Sequence, residues 1–198
     1  MTNKPSRQDA IDAIRLLIQY IGDDPNRSGL KDTPERVIKA WERDWGIGYD
    51  KSWRCEEVHS ILGGQFDDHQ DYNQMIAVKG ICFYSHCEHH LAEFSGVVDI
   101  AYIPKPKGKV LGLSKLARIV NMFSRKLQVQ ERMTNQIANF IDENCNPLGV
   151  GVVVKATHSC MLSRGVKQYD TAAVTSALRG EMLENPEVRD EFLRLVGR

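Results

Sequence analysis

Two short clusters of cysteine and histidine carry residue types and spacings that could do chemistry. The first is Ser-His-Cys-Glu-His-His at residues 85–90, and the second is His-Ser-Cys at residues 158–160. Thiolate and imidazole groups are the ligands that a borderline-soft ion such as zinc selects. Cys87 and His90 form a C-x-x-H pair, and a third ligand from elsewhere would complete a site with an open coordination position. The spacing therefore predicts a metal centre that could act in catalysis.

The second cluster lies at the end of a predicted strand. Apolar residues alternate over residues 149–160, so His158 and Cys160, two positions apart, should point to the same side. If Cys160 meets the C-x-x-H pair, two thiolates and one imidazole leave the fourth zinc position for water, whose pKa the metal lowers towards neutrality. His89 and His158 would then be available to move protons.

Two other interpretations of these clusters remain open at this point. In one, a closed structural zinc ion is bound by Cys87, His158, Cys160 and either His89 or His90. In the other, the same side chains are unrelated residues of the core. The open and closed zinc sites differ in whether His89 and His158 are free of the metal.

Charge and composition restrict the function further. Twenty-six Lys and Arg residues balance 26 Asp and Glu residues, so no overall field attracts nucleic acid or an anionic membrane, and phosphate recognition must come from a local basic cluster. No stretch approaches the roughly 18 apolar residues of a membrane span. The N-terminal residues turn polar too early for a signal peptide, and five cysteines without such a signal argue against disulfides. We therefore expect a cytoplasmic protein without nucleic-acid or membrane partners.

Helices and a linker are predicted before the two clusters. Apolar periodicity predicts a helix over residues 8–21 and a second one opening at Thr33, followed by an irregular linker over residues 46–73. We accordingly divide the chain into an N-terminal helical segment with its linker, residues 1–73, and a second domain, residues 74–198.

The second domain has a mixed pattern of strands and helices. Strands are predicted over residues 75–83, 97–103, 149–160 and 169–178, and helices from Ser114, over residues 128–143 and after Asn185. The order β-β-α-α-β-β, preceded by helices, predicts the α+β class.

Five ordered motifs of the chain resemble GTP cyclohydrolase I. They are Asp32-Thr33-Pro34-Glu35-Arg36-Val37, Cys87-Glu88-His89-His90, Gly112-Leu113-Ser114-Lys115, Gln128-Val129-Gln130-Glu131-Arg132, and His158-Ser159-Cys160-Met161 with Arg164-Gly165. Their separations match as well, and the resemblance covers the chain from about residue 8 to residue 196. It is therefore more specific than any single motif.

The resemblance implies a fold, an assembly and a reaction. The fold is the tunnelling fold (T-fold), whose subunits in this family form a toroidal homodecamer of two pentameric rings with active sites between subunits. The reaction converts GTP and water into 7,8-dihydroneopterin triphosphate and formate, the first step towards tetrahydrofolate, biopterin or deazaguanine, and uses zinc. The alternatives are a non-catalytic nucleotide-binding T-fold protein with a closed structural zinc site, and a metallohydrolase acting on another purine nucleotide.

The resemblance also implies roles for the residues of both clusters. Cys87, His90 and Cys160 correspond to the zinc ligands. His158 resembles the residue that protonates the purine N7 during attack at C8, and His89 resembles the residue that assists opening of the ribose ring.

Further roles follow from the other motifs. Ser114 is similar to the serine implicated in the Amadori rearrangement and ring closure. Glu131 resembles the carboxylate that holds the guanine edge, and Gln130 beside it is assigned to substrate binding. The positions that match the family's triphosphate-binding residues are Lys115, Arg118, Arg164, Arg36 and Lys39.

The chain departs from the family pattern near the site. Leu127 stands where the family usually has proline, and His86 where relatives often have a small or apolar residue. We expect His86 to face solvent. The role of Glu88, between two site residues, is left open.

Overall fold

The structure is a computed structural model that describes residues 4–67 and 72–197. Two units can be distinguished in it, Met1–Ile47 and Gly48–Arg198. The division at residue 73 that we expect from composition stays a prediction. Within the described residues, no helix is long and apolar enough to cross a membrane.

The first unit contains the two helices predicted from periodicity. Helix α1 (Arg7–Tyr20) begins with a capping box, in which the Asp9 N–H donates to the Ser6 hydroxyl and the Ser6 N–H donates to the Asp9 carboxylate. Helix α2 (Thr33–Ala40) continues into one π-helical turn, Trp41–Trp45. Both predicted helices are confirmed.

The second unit contains a sheet with helices on both of its faces. Its elements, in chain order, are α3 (Lys51–Leu62), β1 (Gln65–Asp67), β2 (Ile76–Cys87), β3 (Glu93–Ile103), β4 (Lys109–Leu111), α4 (Leu113–Ser124), β5 (Leu127–Gln128), α5 (Gln130–Cys145), β6 (Gly149–His158), α6 (Ser159–Leu162), β7 (Ala173–Gly180), α7 (Glu181–Glu184) and α8 (Pro186–Val196). The long elements β2-β3-α4-α5-β6-β7 confirm the predicted order and the α+β class.

The linker predicted over residues 46–73 is wrong for the described part of that segment. Helix α3 and strand β1 occupy most of it, and residues 68–71 lie outside the described residues. The Asp50 carboxylate caps α3 by accepting from the Trp53 N–H at 3.0 Å. Periodicity missed this helix because its apolar residues do not gather on one face.

The five-stranded sheet has the order β5-β2-β3-β6-β7, and only the short β2–β5 pairing is parallel. Val98, Ile100 and Tyr102 of β3 lie in the core cluster that α4 and α5 complete, whereas Ala101 packs with residues of α7 and α8. Because side chains alternate along a strand, the two helix pairs cover opposite faces of the sheet. The main core therefore lies under α4 and α5.

Strand β2 contains a bulge close to its middle. Gly80 has a positive φ of 71°, a conformation that glycine adopts without a steric penalty. Its N–H donates to the Asp99 carboxylate at 2.6 Å, and Asp99, on β3, is 7% exposed. A buried carboxylate thus satisfies the backbone group that the bulge removes from the regular ladder.

We predict that Asp99→Ala lowers the free energy of unfolding by about 1–3 kcal/mol, because the partly buried Gly80 N–H loses its acceptor. The control Asp190→Ala removes an exposed carboxylate of α8 and should change that free energy by less than about 0.5 kcal/mol. Urea unfolding followed by circular dichroism measures both. Equal midpoints for the two variants would contradict this role of Asp99.

Candidate metal centre and catalytic pocket

The C-x-x-H pair is built by the end of β2 and the tight turn after it. The Cys87 N–H donates to the Ala92 carbonyl at 2.8 Å, and the Leu91 N–H donates to the Cys87 carbonyl at 2.8 Å. Leu91 lies in the left-handed region, with a φ of 53°. This turn folds the chain back at the strand end, so that the His90 ring approaches the Cys87 thiol.

The bulge in β2 decides that Cys87 faces α4 and α5. Val78 pairs with Ile100, but Ile81 pairs with Val98, so β2 advances three residues where β3 advances two. One extra residue moves every later side chain of β2 to the other face of the sheet. Cys87 consequently lies in the same core cluster as Val98 and is buried.

Cys160 reaches the site by a different route from the one predicted. The strand expected over residues 149–160 ends at His158, and Cys160 lies on the short helix α6. The prediction that strand alternation orients both residues is therefore wrong, because the chain turns into a helix at Ser159. That turn still carries the Cys160 thiol to the end of β2.

Cys87, His90 and Cys160 form a group that could hold a metal ion. Their ligand atoms all lie within 4.8 Å of one another, and in the described part of the chain no other such group of three His, Cys, Asp or Glu residues is found. Burial and the neighbouring Cys87 thiol raise the pKa of Cys160. Two sulfur donors and one imidazole suit zinc, whose charge would offset the repulsion between two thiolates.

These three candidate ligands line a pocket of about 270 Å³. Its lining brings together residues of β2, the turn after it, β5, α5, β6, α6 and β7. They are Cys87, His89, His90, Gln128, Val129, Gln130, Glu131, His158, Cys160, Met161 and Ala173. The pocket therefore collects the predicted metal, proton-transfer and guanine-binding residues in one place.

His158 is held in place by stacking across two strands. It is the partner of Phe94 in the β3–β6 register, and the two rings stack with their centroids 4.5 Å apart and 5° between their planes. Phe94 is buried and contacts Phe83 edge-on. Burial lowers the pKa of His158, although the nearby Glu131 carboxylate opposes this shift. The His158 ring thus favours its neutral form in a fixed orientation.

Gln130 determines which nitrogen of His158 carries the proton. The Gln130 amide nitrogen donates to the carbonyls of Val154 at 3.2 Å and Ala173 at 3.1 Å and lies 3.1 Å from the Thr175 hydroxyl. Carbonyls only accept, so the amide oxygen must face His158 and accept from its Nε2–H at 2.8 Å. In the neutral ring, Nδ1 is then the unprotonated nitrogen.

The other candidate residues of the pocket are more exposed. The Nδ1 atom of His89 lies 3.6 Å from the Cys87 sulfur, and the His89 ring is solvent-exposed. Glu131, in the first turn of α5, is also exposed. Among the residues that the structure describes, the Glu131 carboxylate has no hydrogen bond or ion pair. It can therefore accept from a ligand without first losing a protein partner.

Glu88 connects the turn after β2 to helix α5. Its carboxylate forms an ion pair with Arg132, whose Nε donates to the Gln128 side chain at 3.2 Å. The Glu88 N–H donates to the Gln128 carbonyl at 3.1 Å. These contacts hold the turn that carries His89 and His90 against the start of α5. The sequence does not reveal this link, because it depends on the β2–β5 pairing.

The predicted residues on α4 lie outside the pocket lining. Ser114 is the second residue of α4 and is exposed; no side chain caps this helix. Lys115 donates to the Ser60 hydroxyl at 3.3 Å, and Arg118 forms an ion pair with Glu57 at 3.0 Å. The two cations, one helical turn apart, are therefore both held by α3.

The remaining predicted phosphate ligands lie in other parts of the chain. Arg164 is exposed in the segment after α6. Arg36 and Lys39 belong to α2 of the first unit, where they line a pocket of about 290 Å³ and Arg36 pairs with Asp32 at 3.3 Å. Their roles in phosphate binding stay predictions.

Two departures from the family pattern have structural consequences. The Leu127 N–H, which proline would lack, donates to the Tyr49 hydroxyl at 3.2 Å. His86 is 7% exposed, so the prediction that it faces solvent is wrong. Its pKa is lowered by burial, with Glu93 acting in the opposite direction. His86 is covered because β2 extends to Cys87, beyond the predicted strand end.

The fold and the site together define a class of protein. It is an α+β chain with a candidate metal centre of two thiols and one imidazole, open to a pocket that contains two further histidines and a carboxylate.

Comparison with known proteins identifies the family. The model of the GTP cyclohydrolase I family matches residues 10–197. GTP cyclohydrolase 1 of Maricaulis maris (strain MCS10) is 44% identical over 198 residues, covering 100% of this chain and 93% of that protein. GTP cyclohydrolase 1 of Aquifex aeolicus (strain VF5) is 47% identical over 184 residues, covering 93% of each. GTP cyclohydrolase 1 of Janthinobacterium sp. (strain Marseille) is 48% identical over 182 residues, covering 92% of this chain and 88% of that protein.

The chain therefore belongs to the GTP cyclohydrolase I family, a family of enzymes. The predicted family and its tunnelling fold are confirmed. Among solved structures, the crystal structure of the archaeosine synthase QueF-Like in the apo form aligns with a TM-score of 0.42 and 19% identity, over 54% of this chain and 93% of that chain.

We predict that Cys160→Ala loses bound zinc, whereas His158→Ala retains about one zinc ion per chain. The reason is that Cys160 contributes a ligand atom to the group of three, whereas His158 is not part of that group. Elemental analysis of dialysed protein measures the zinc content. Stoichiometric loss of zinc in His158→Ala would instead support a closed site.

Proposed function

We propose that this protein is a zinc-dependent GTP cyclohydrolase I that converts GTP and water into 7,8-dihydroneopterin triphosphate and formate. The observation that carries the proposal is the group of Cys87, His90 and Cys160 in one pocket with His89 and His158, in a chain of this family. The reaction would be the first step of pterin biosynthesis, in the cytoplasm.

Cys87, His90 and Cys160 are the residues that would hold the zinc ion. A zinc ion with three protein ligands supplies Lewis-acid activation of a water molecule near neutral pH. An open fourth position is favoured over a closed site because, among the described residues, neither His158 nor His89 belongs to the group whose ligand atoms lie within 4.8 Å of one another. The alternative, a non-catalytic protein with a closed structural zinc site, would need that histidine or His89 as the fourth ligand.

His158 would take up at Nδ1 the proton that the attacking water loses and pass it to the purine N7 as C8 is attacked. Its ring is fixed by Phe94, and its Nε2–H is fixed by Gln130, so Nδ1 is the nitrogen available for proton exchange with the substrate. A positioned imidazole of this kind contributes about 10²–10⁴-fold to a reaction rate. Gln130, which the resemblance assigns to substrate binding, would thus also set the tautomer of His158.

Three other side chains would act on the substrate. The exposed Glu131 carboxylate would accept from the N1–H and the exocyclic amine of guanine, two adjacent donors that adenine does not present. His89, beside the metal group, would assist opening of the ribose ring. Ser114, whose hydroxyl does not cap α4, would take part in the later Amadori rearrangement and ring closure.

The triphosphate requires cations that the pocket itself lacks. None of its described lining residues is Lys or Arg, although a triphosphate carries several negative charges. Lys115, Arg118, Arg164, Arg36 and Lys39 would supply these cations. Their absence from the lining supports an active site completed by a neighbouring subunit in a toroidal homo-oligomer, for which a decamer of two pentamers is the expected form.

Incubation of zinc-loaded protein with GTP should release formate and, after oxidation, a fluorescent pterin. Cys160→Ala should abolish both products because the group of three loses a sulfur ligand. ATP in place of GTP serves as the control and should give no product, since Glu131 matches the donors of guanine. No turnover by metal-replete protein, or turnover unaffected by Cys160→Ala, would refute the proposal.

Gln130→Leu should lower kcat by about 100-fold while leaving the KM for GTP nearly unchanged. The substitution removes the acceptor that orients His158 and leaves the Glu131 carboxylate in place. Steady-state kinetics, with zinc content and thermal unfolding measured on the same samples, test this expectation. A raised KM with an unchanged kcat would show that Gln130 acts by binding the substrate.

A further inference from the structure

Lys115 lies across the glycine turn that ends helix α3. A Cβ atom on Gly64 would be 2.0 Å from the Lys115 Cε and 2.9 Å from its Cδ and Cγ, so the lysine stem occupies the space that a side chain at position 64 would need. The Lys115 ammonium donates to the Ser60 hydroxyl at 3.3 Å, on the last turn of the same helix. Only glycine at position 64 permits this conformation of the lysine.

The glycine turn is also fixed to the start of α4. The Gly112 N–H, at the N-cap of α4, donates to the Gly64 carbonyl at 3.1 Å. Directly after the turn, Gln65 pairs with Leu111 in the β1–β4 ladder. The lysine backbone is connected to the same point, because the Lys115 N–H donates to the Gly112 carbonyl at 2.8 Å. Gly64 and the stem of Lys115 therefore belong to one hydrogen-bonded unit.

The next cation on α4 is held by the same helix. The Nη1 of Arg118 donates to both oxygens of Glu57 at 3.0 and 3.2 Å, and the Glu57 side chain is 16% exposed while that of Arg118 is 46% exposed. This contact leaves Nε and Nη2 of Arg118 for another acceptor, and the Lys115 ammonium keeps two of its three donors. Helix α3 thus orients two cations without using all their hydrogen-bond donors.

We propose that Gly64 is a positioning residue for the triphosphate of the substrate, acting through Lys115. The proposal rests on the proposed function, in which Lys115 contacts a phosphate. A free lysine loses rotamer entropy when it binds a ligand, whereas a lysine whose stem is already confined loses less. Gly64 and Ser60 confine Lys115 before the ligand arrives and so strengthen phosphate binding.

Gly64→Ala tests the proposal, with Gly63→Ala as the matched control. A methyl group at position 64 must displace the lysine stem, whereas at position 63 it would meet only the His59 carbonyl at 3.1 Å, in a backbone conformation suited to alanine. We expect Gly64→Ala to weaken binding of inorganic tripolyphosphate by about tenfold, the scale of one charge-assisted hydrogen bond. The KM for GTP should rise similarly while kcat stays constant, and Gly63→Ala should match the wild type.

A double variant shows whether Gly64 acts through the lysine. If it does, adding Gly64→Ala to Lys115→Met causes no further loss of tripolyphosphate affinity. Calorimetry on zinc-loaded protein measures each affinity. If Gly64→Ala does not fold, Ser60→Ala replaces it and should weaken binding in the same direction.

Different results would overturn the two proposals separately. The positioning role would be refuted, with GTP turnover intact, if Gly64→Ala (or Ser60→Ala in its place) bound tripolyphosphate as tightly as the wild type. It would also be refuted if Gly64→Ala lowered the affinity of the Lys115→Met variant by as much as it lowers that of the wild type. A wild-type protein that neither binds tripolyphosphate nor turns over GTP would refute the proposed function, and the positioning role with it.

Discussion

One extra residue in β2 is the constraint on which the candidate metal centre depends. The bulge at Gly80 changes the face on which every later residue of the strand lies, and it persists because the buried Asp99 carboxylate accepts the freed N–H. Without that shift, Cys87 would lie on the face covered by α7 and α8, away from Gln130. A partly buried hydrogen bond between β2 and β3 thus sets the position of a thiol seven residues further along the strand.

The orientation of His158, the histidine of the second cluster, depends on ring stacking and on a hydrogen bond. Its orientation comes from the β3–β6 register, which sets Phe94 opposite His158, and from an amide whose own orientation is imposed by two carbonyls. Such a buried polar network has few alternative arrangements, because rotating the amide would leave donors and acceptors unpaired. The structure accordingly combines a histidine held in one orientation with two exposed residues of the same pocket, His89 and Glu131.

The lysine and arginine residues proposed to bind the triphosphate are not among the described lining residues of the pocket. A chain of zero net charge must gather phosphate with a few local cations, and those on α4 are held by residues of α3. The separation suits a substrate whose base and triphosphate are chemically distinct, since each part meets its own set of residues.

The sequence by itself determined the family, the order of the long elements and the identity of the candidate ligands, because residue types and motif separations are properties of the chain alone. Tertiary structure decided the rest. Helix α3 could not be predicted from periodicity because its apolar residues do not share one face. Cys160 lies on the short helix α6 and not on the strand before it. The bulge, the strand register and the Gly64–Lys115 contact join residues distant in sequence, and only packing in three dimensions brings such residues together.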